Sequence, residues 1–246
     1  MELKNKIALV TGGGTGIGRA VSLALAERGA AVAVNYSRSA AEAEETVQMI
    51  QSRGGQAMAI QADVSREHEV KAMVEAVAHE WGSLDVLVNN ASVTRHIPMD
   101  DLEAVTEEVW DSLLQVNVKG MFYCARAVAP YMKKQMQGAI VNVGSIAGIT
   151  GTGSSLPYAV SKAAVHGLTR SLAKALAPHI RVNCIAPGAV LTRWWEGRER
   201  QMEQLAGSLL LGETAKPEDI AHMILAALEQ EALTGQIITV DAGQSM

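Results

Sequence analysis

Tyr158 and Lys162 stand four residues apart in the stretch YAVSK, inside a segment with helical spacing, so their side chains share one helix face. A phenol is almost wholly protonated at neutral pH, with a reference pKa of about 10. A neighbouring ammonium favours the phenolate, and lowering the pKa by about 3 units takes roughly 4 kcal/mol of differential stabilisation. A phenol tuned in this way can give a proton to a carbonyl oxygen, or take it back in the reverse direction. Seen alone, such a pair is more often an ordinary amphipathic face. A second chemical signal is TGGGTGIG, residues 11–18, set between the apolar run IALV and the helix-like RAVSLALAERG. As a P-loop it has Gly13 and Gly18 correctly spaced, but Arg19 and Ala20 stand where Lys and Ser/Thr are needed. As the dinucleotide pattern G-x-G-x-x-G counted from Gly12, its last position falls on Ile17.

The elements that must position these residues are legible as an alternation. KIALV, AVAVNY, AMAIQA, LDVLVNN, AIVNVGS, RVNCIAP and QIITVDA are short, rich in Val and Ile and nearly unbroken in hydrophobicity. That is the pattern of strands buried on both faces of a parallel sheet. Residues 16–29, 39–53, 66–81, 102–136, 157–177 and 217–229 have helical spacing; Pro130 should kink the fourth, while Pro157 and Pro217 suit the first turn of the last two. The expected fold is an α/β, single-domain, doubly wound (Rossmann-type) parallel sheet of about seven strands with helices on both faces, spanning 1–246. Ligands of such sheets sit at the carboxyl ends of the strands near the reversal of strand order, and TGGGTGIG lies at the end of the first strand.

The chain has 246 residues, 48% of them hydrophobic, and a formal net charge of −5 with both signs interspersed. Nothing in that balance resembles a footprint for nucleic acid or for an anionic membrane. Cys124 and Cys184 read as small core residues of a reducing compartment. The histidines show no metal-ligand spacing, so no metal is expected. With the first strand starting near Lys6 and no apolar run long enough to span a bilayer, a cytoplasmic protein is the expectation.

Taken in order, TGGGTGIG, NNAS (89–92), LQVNVKG with Asn117, GSIAG with Ser145, YAVSK and IAPG (185–188) resemble the short-chain dehydrogenase/reductase family over essentially the whole chain. The detailed pattern is most similar to 3-oxoacyl-(acyl-carrier-protein) reductases and related carbonyl reductases. The resemblance implies Ser145, Tyr158, Lys162 and Asn117 as the catalytic set. Ser145 would hold the substrate oxygen near the phenol, and Asn117 would anchor a water chain leading protons to Lys162. It implies a nicotinamide dinucleotide held by Gly12, Thr15, Gly16, Ile17 and Gly18 around the first helix, by Asp63 and Val64 at the adenine, and by Asn90, Ala91, Tyr158, Lys162, Pro187, Gly188, Val190 and Thr192 towards the nicotinamide. One departure is Ser92, where the family usually has glycine; serine there would narrow the site if the backbone needs positive φ.

NAD enzymes usually carry an acid at the end of the second strand, whereas here the chain reads Tyr36, Ser37, Arg38. A hydroxyl and a guanidinium are suited to a 2′-phosphate, so NADP (NADPH) is favoured over NAD. The expected partner is a small-molecule carbonyl or alcohol, reached through a helical lid at about 189–215 in which Trp194 or Trp195 could face it. An acidic acyl carrier protein would find only Lys133, Lys134, His179 and Arg181 near its expected docking region. Dehydrogenation of a small alcohol, sugar or polyol, or a non-catalytic NADP-binding sensor, are the rival readings. The resemblance implies a homotetramer paired through the 102–136 and 157–177 helices.

Overall fold

The computed structural model describes residues 1–195 and 197–246. Each expected strand forms: β1 (Ile7–Val10), β2 (Ala31–Tyr36), β3 (Ala57–Gln61), β4 (Val86–Asn89), β5 (Gly138–Val143), β6 (Ile180–Pro187) and β7 (Ile237–Val240). They make one sheet in the order β3-β2-β1-β4-β5-β6-β7, with every neighbouring pair parallel. Strand order reverses between β1 and β4, which pair from Ala8 opposite Val86 to Val10 opposite Val88.

Alternate strand residues feed two cores, as the period of a strand requires. Val10, Val34, Val88 and Val141 pack under α1 (Gly16–Glu27), α2 (Ala40–Ser52) and, later in the chain, the helix Pro217–Glu229. Leu9, Ala33, Leu87 and Ile140 pack under α3 (Glu67–Trp81) and the helices that follow on that side. Cys124, in the second layer, and Cys184, in a smaller cluster with Met121 and Val165, are buried free thiols.

The segment expected to be one helix over 102–136 is broken in a specific way. Residues 102–106 are not helical; α4 (Glu107–Leu114) begins after Thr106, whose hydroxyl accepts from the Val109 N–H. A π-helical turn, Gln115–Gly120, then joins α4 to α5 (Met121–Lys134). Such an insertion shifts the side chains beyond it around the axis, and it occurs around Asn117. A short α6 (Ala147–Thr150) follows β5 and was not legible as a helix, being a single turn. Next come α7 (Leu156–Leu176), with Pro157 in its first turn, the lid helix α8 (Glu199–Ser208) and α9 (Pro217–Glu229).

Candidate active site

At the reversal point the ends of β1, β2, β3 and β4 are stitched together by side chains. The Thr11 hydroxyl accepts from the N–H groups of Asn90 and Ala91 (2.9 and 3.0 Å). Asn90 Nδ2 donates to the carbonyls of Thr11 and Gly12, 3.0 Å each. From β2, Asn35 accepts from the Gly12 N–H (3.3 Å) and donates to the Ala62 carbonyl (3.1 Å). Gly12 turns the chain with φ of +60°, a conformation side chains disfavour. Gly18 has a different reason: a Cβ there would lie 2.1 Å from the Gly12 carbonyl oxygen, so it permits α1 to seat against its own loop. No side chain caps the start of α1 and its first turn holds no acid. Its free N–H groups and partial positive charge are therefore offered outward.

They face a cavity of about 770 Å³. Gly12, Thr15, Gly16 and Ile17 line it, as do Tyr36, Ser37, Arg38, Asp63 and Val64 from the β2 and β3 ends. So do Asn90 and Ala91 after β4, and Pro187, Gly188, Val190 and Thr192 after β6. Ser145, Tyr158 and Lys162 line the same space. Two expected residues do not: Gly18, packed behind the loop, and Asn117, which is fully buried.

Elsewhere on the cavity, Tyr158 and Lys162 are buried on one face of α7, at 8% and 2% exposure. The Ser145 hydroxyl, which accepts from the Ala147 N–H at 3.1 Å, lies on the same cavity wall, close enough to the phenol to favour its ionised form. The expectation that the lysine lowers the phenol pKa is not met here. Burial pushes Tyr158 up to about 12, with the nearby Ser145 hydroxyl offsetting part of that rise. Burial likewise brings Lys162 down to about 8. The reason is distance and desolvation together: Lys162 Nζ lies 5.7 Å from the Tyr158 ring centroid and donates to the Val143 carbonyl (3.0 Å).

Asn117 is held in place through its side chain. Its Oδ1 accepts from the Ser92 hydroxyl and the Val93 N–H, 2.9 Å each. Its Nδ2 donates to the Val93 carbonyl (3.0 Å) and the Ser161 hydroxyl (3.1 Å). An amide has two lone pairs and two N–H bonds, so this side chain is saturated by protein. Water held by Asn117 must be bound by its backbone. Ser92, for its part, is not among the residues with positive φ; its hydroxyl supports Asn117 and introduces no backbone strain.

The comparisons agree with this geometry. Residues 6–203 match the family model described as short chain dehydrogenase. The chain belongs to the short-chain dehydrogenase family. It is 68% identical over 129 residues to the short-chain dehydrogenase/reductase homolog YusR of Bacillus subtilis, covering 52% of this chain and all of that protein. It is 41% identical over 245 residues to the 3-oxoacyl-[acyl-carrier-protein] reductase FabG of Staphylococcus aureus, covering 98% of both. A solved short-chain dehydrogenase/reductase from Serratia marcescens, a double mutant, superposes with a TM-score of 0.91 at 33% identity over the full length of both chains. This protein is thus an oxidoreductase of that family, and membership implies a nicotinamide cofactor.

The residues of this short-chain dehydrogenase fit such a group. An uncapped helix N-terminus suits a pyrophosphate, and no acid stands at the end of β2. Asp63 is beside it: burial would raise its carboxyl, but bonds from Ser65 and the charges of Arg66 and Arg38 outweigh that and hold it below the ordinary value.

The lid of this dehydrogenase is helical at α8, and Glu196 within it lies outside the described residues. Trp194 and Trp195 occupy a 3₁₀ turn, and both line the cavity, so neither is a core residue. Trp194 meets the Tyr158 ring edge-on, centroids 6.2 Å apart. Sequence reasoning also missed Gln244, whose side chain accepts from the Ala189 N–H (2.8 Å) and fixes the start of the lid; a polar residue near the terminus gives no local signal of it. Arg181, one of the basic residues considered for carrier docking, instead donates to the carbonyls of Ala227 (3.0 Å), Leu228 and Leu233 at the end of α9.

Proposed function

We propose that this protein catalyses the NADPH-linked reduction of a ketone to a secondary alcohol. The observation that carries the reading is the convergence of Ser145, Tyr158 and Lys162 on a cavity that Arg38 and the uncapped start of α1 also line. When bound, the reduced nicotinamide supplies the hydride. Ser145 holds the carbonyl oxygen and Tyr158 delivers the proton to it, forming a phenolate that the Lys162 ammonium stabilises. With a pKa near 8, Lys162 is mostly charged at neutral pH and able to do so. Asn117 holds the Val93 backbone and Ser161, one residue before Lys162, in register with the catalytic helix face.

Gly12, Thr15, Gly16 and Ile17 would hold the pyrophosphate, with Gly18 shaping the loop behind them. Tyr36, Ser37 and Arg38 would hold the 2′-phosphate, Asp63 and Val64 the adenine. Asn90, Ala91, Pro187, Gly188, Val190 and Thr192 would hold the nicotinamide side. The named activity of the Staphylococcus aureus relative supports a 3-oxoacyl thioester or related carbonyl as substrate. Engagement of Arg181 with α9 leaves less basic surface for an acidic carrier and favours a small or free substrate. A homotetramer is part of this reading, supported by the exposed apolar residues Phe122 on α5 and Val160 on α7.

The test is Tyr158→Phe. Ketone-dependent NADPH oxidation should fall by about 100-fold or more while NADPH binding, followed by cofactor fluorescence, persists. Undiminished turnover would remove the assignment.

A further inference from the structure

The cavity wall contributed by the lid carries a cation for which the reaction above has no use. Arg198 is half-buried on the cavity, with no hydrogen bond or ion pair from its guanidinium among the described residues. The other lid arginine on this wall is already engaged: Arg193 donates to the Ser39 hydroxyl (3.2 Å) and lies 3.7 Å from Glu42. His96 lines the same cavity, near enough to feel the charge of Arg198, and the neighbouring Ile97 N–H donates to the Ser154 carbonyl (2.9 Å). Among the described lining residues the only carboxylate is Asp63, committed to Ser65 at the end of β3.

A guanidinium with no carboxylate partner among the described residues, in a partly desolvated wall, is costly, and an incoming anion relieves that cost. Its planar fork matches a carboxylate with two parallel bonds. Burial and, next, the charge of Arg198 hold His96 below its ordinary pKa. The imidazole is therefore neutral at pH 7 and offers an N–H beside the guanidinium. Trp194, four residues before Arg198, lines the same cavity and meets the Tyr158 ring edge-on. Its indole supplies an apolar surface for the few carbon atoms separating carbonyl from anion.

We propose that Arg198 and His96 form a carboxylate subsite and that the ketone reduced here is a keto acid. This rests on the ketone-reductase reading and narrows its substrate class.

The experiment compares kcat/KM, with NADPH, for acetoacetate and 4-oxopentanoate against their methyl esters, which keep each carbonyl and remove the charge. Native enzyme should prefer at least one acid over its ester by about tenfold to hundredfold, the range for a hydrogen-bonded charge pair. Arg198→Ala should collapse that ratio through KM more than kcat, and Arg198→Lys should restore part of it. Equal use of acid and ester by native enzyme overturns the subsite. So does an Arg198→Ala variant that keeps the ratio but melts earlier, which would make the arginine a structural partner of its acidic sequence neighbours. Binding of butyrate against butyramide to the NADPH-loaded protein is read separately. Arg198-dependent butyrate binding without turnover of any ketone would support the subsite and sink the reductase reading. Turnover of ketones with no preference for butyrate would do the reverse.

Discussion

Lys162 is a large ammonium buried with a single carbonyl partner, and its pKa near 8 is the measure of that burden. Because the native pKa lies below the unfolded value of 10.5, the unfolded chain binds more protons between those two values. Stability contributed at this site therefore rises with pH through that window, and below it the full cost is present. Allowing about 1 kcal/mol for the lost hydrogen bond, Lys162→Met should stabilise the cofactor-free protein by about 2 kcal/mol near pH 7. The gain over native should shrink as pH rises through that window; denaturant melts of both proteins at several pH values check it. Activity should be lost in the same variant. Arg38 makes the second residue-scale case. It is exposed at the end of β2, where no acid competes for a 2′-phosphate. Arg38→Ala should raise KM for NADPH about tenfold or more and leave KM for NADH nearly unchanged, since the loss of a charge-assisted bond affects only the phosphorylated cofactor. Equal effects on both would dismiss the assignment.

Two elements owe their placement to backbone contacts rather than propensity. α1 seats directly on the loop that precedes it, and Gly18 is where they touch. Gly18→Ala would place a carbon 2.1 Å from a backbone oxygen, so helix or loop must move. The expected cost is about 3 kcal/mol together with loss of NADPH binding, read by thermal melting and cofactor titration. The π turn between α4 and α5 is the other case. It brings Asn117 under the 92–93 backbone in the loop after β4 and against Ser161 of α7, linking three segments through one amide. A regular helix would carry the same residue around the axis, away from those partners.

At the scale of the whole molecule, α5 and α7 leave apolar groups on the surface: Phe122, with the Arg126 guanidinium over its ring at 5.1 Å, and Val160. The proposed tetramer would bury them. Light scattering should give a mass four times the 26.1 kDa chain, and Phe122→Glu should reduce it. A native protein that scatters as one chain would end that proposal. The two hydrophobic layers share every central strand, so denaturant unfolding should be one cooperative transition.

Strand count, parallel sense and the site's position were legible in the sequence because they follow from local pattern: β-branched apolar runs, helical spacing, and glycines where backbone must approach backbone. The Tyr158–Lys162 pairing was legible for the same reason, since helix periodicity alone sets it. What lay beyond the sequence was every quantity that depends on surroundings. Whether Lys162 lowers the phenol turns on burial and on Val143, nineteen residues away. The saturation of Asn117, the placement of both lid tryptophans on the cavity, and the commitment of Arg181 to α9 depend on elements that meet only after folding. Periodicity fixes which residues share a face; desolvation and partner choice are properties of the space between faces, and only the tertiary structure creates that space.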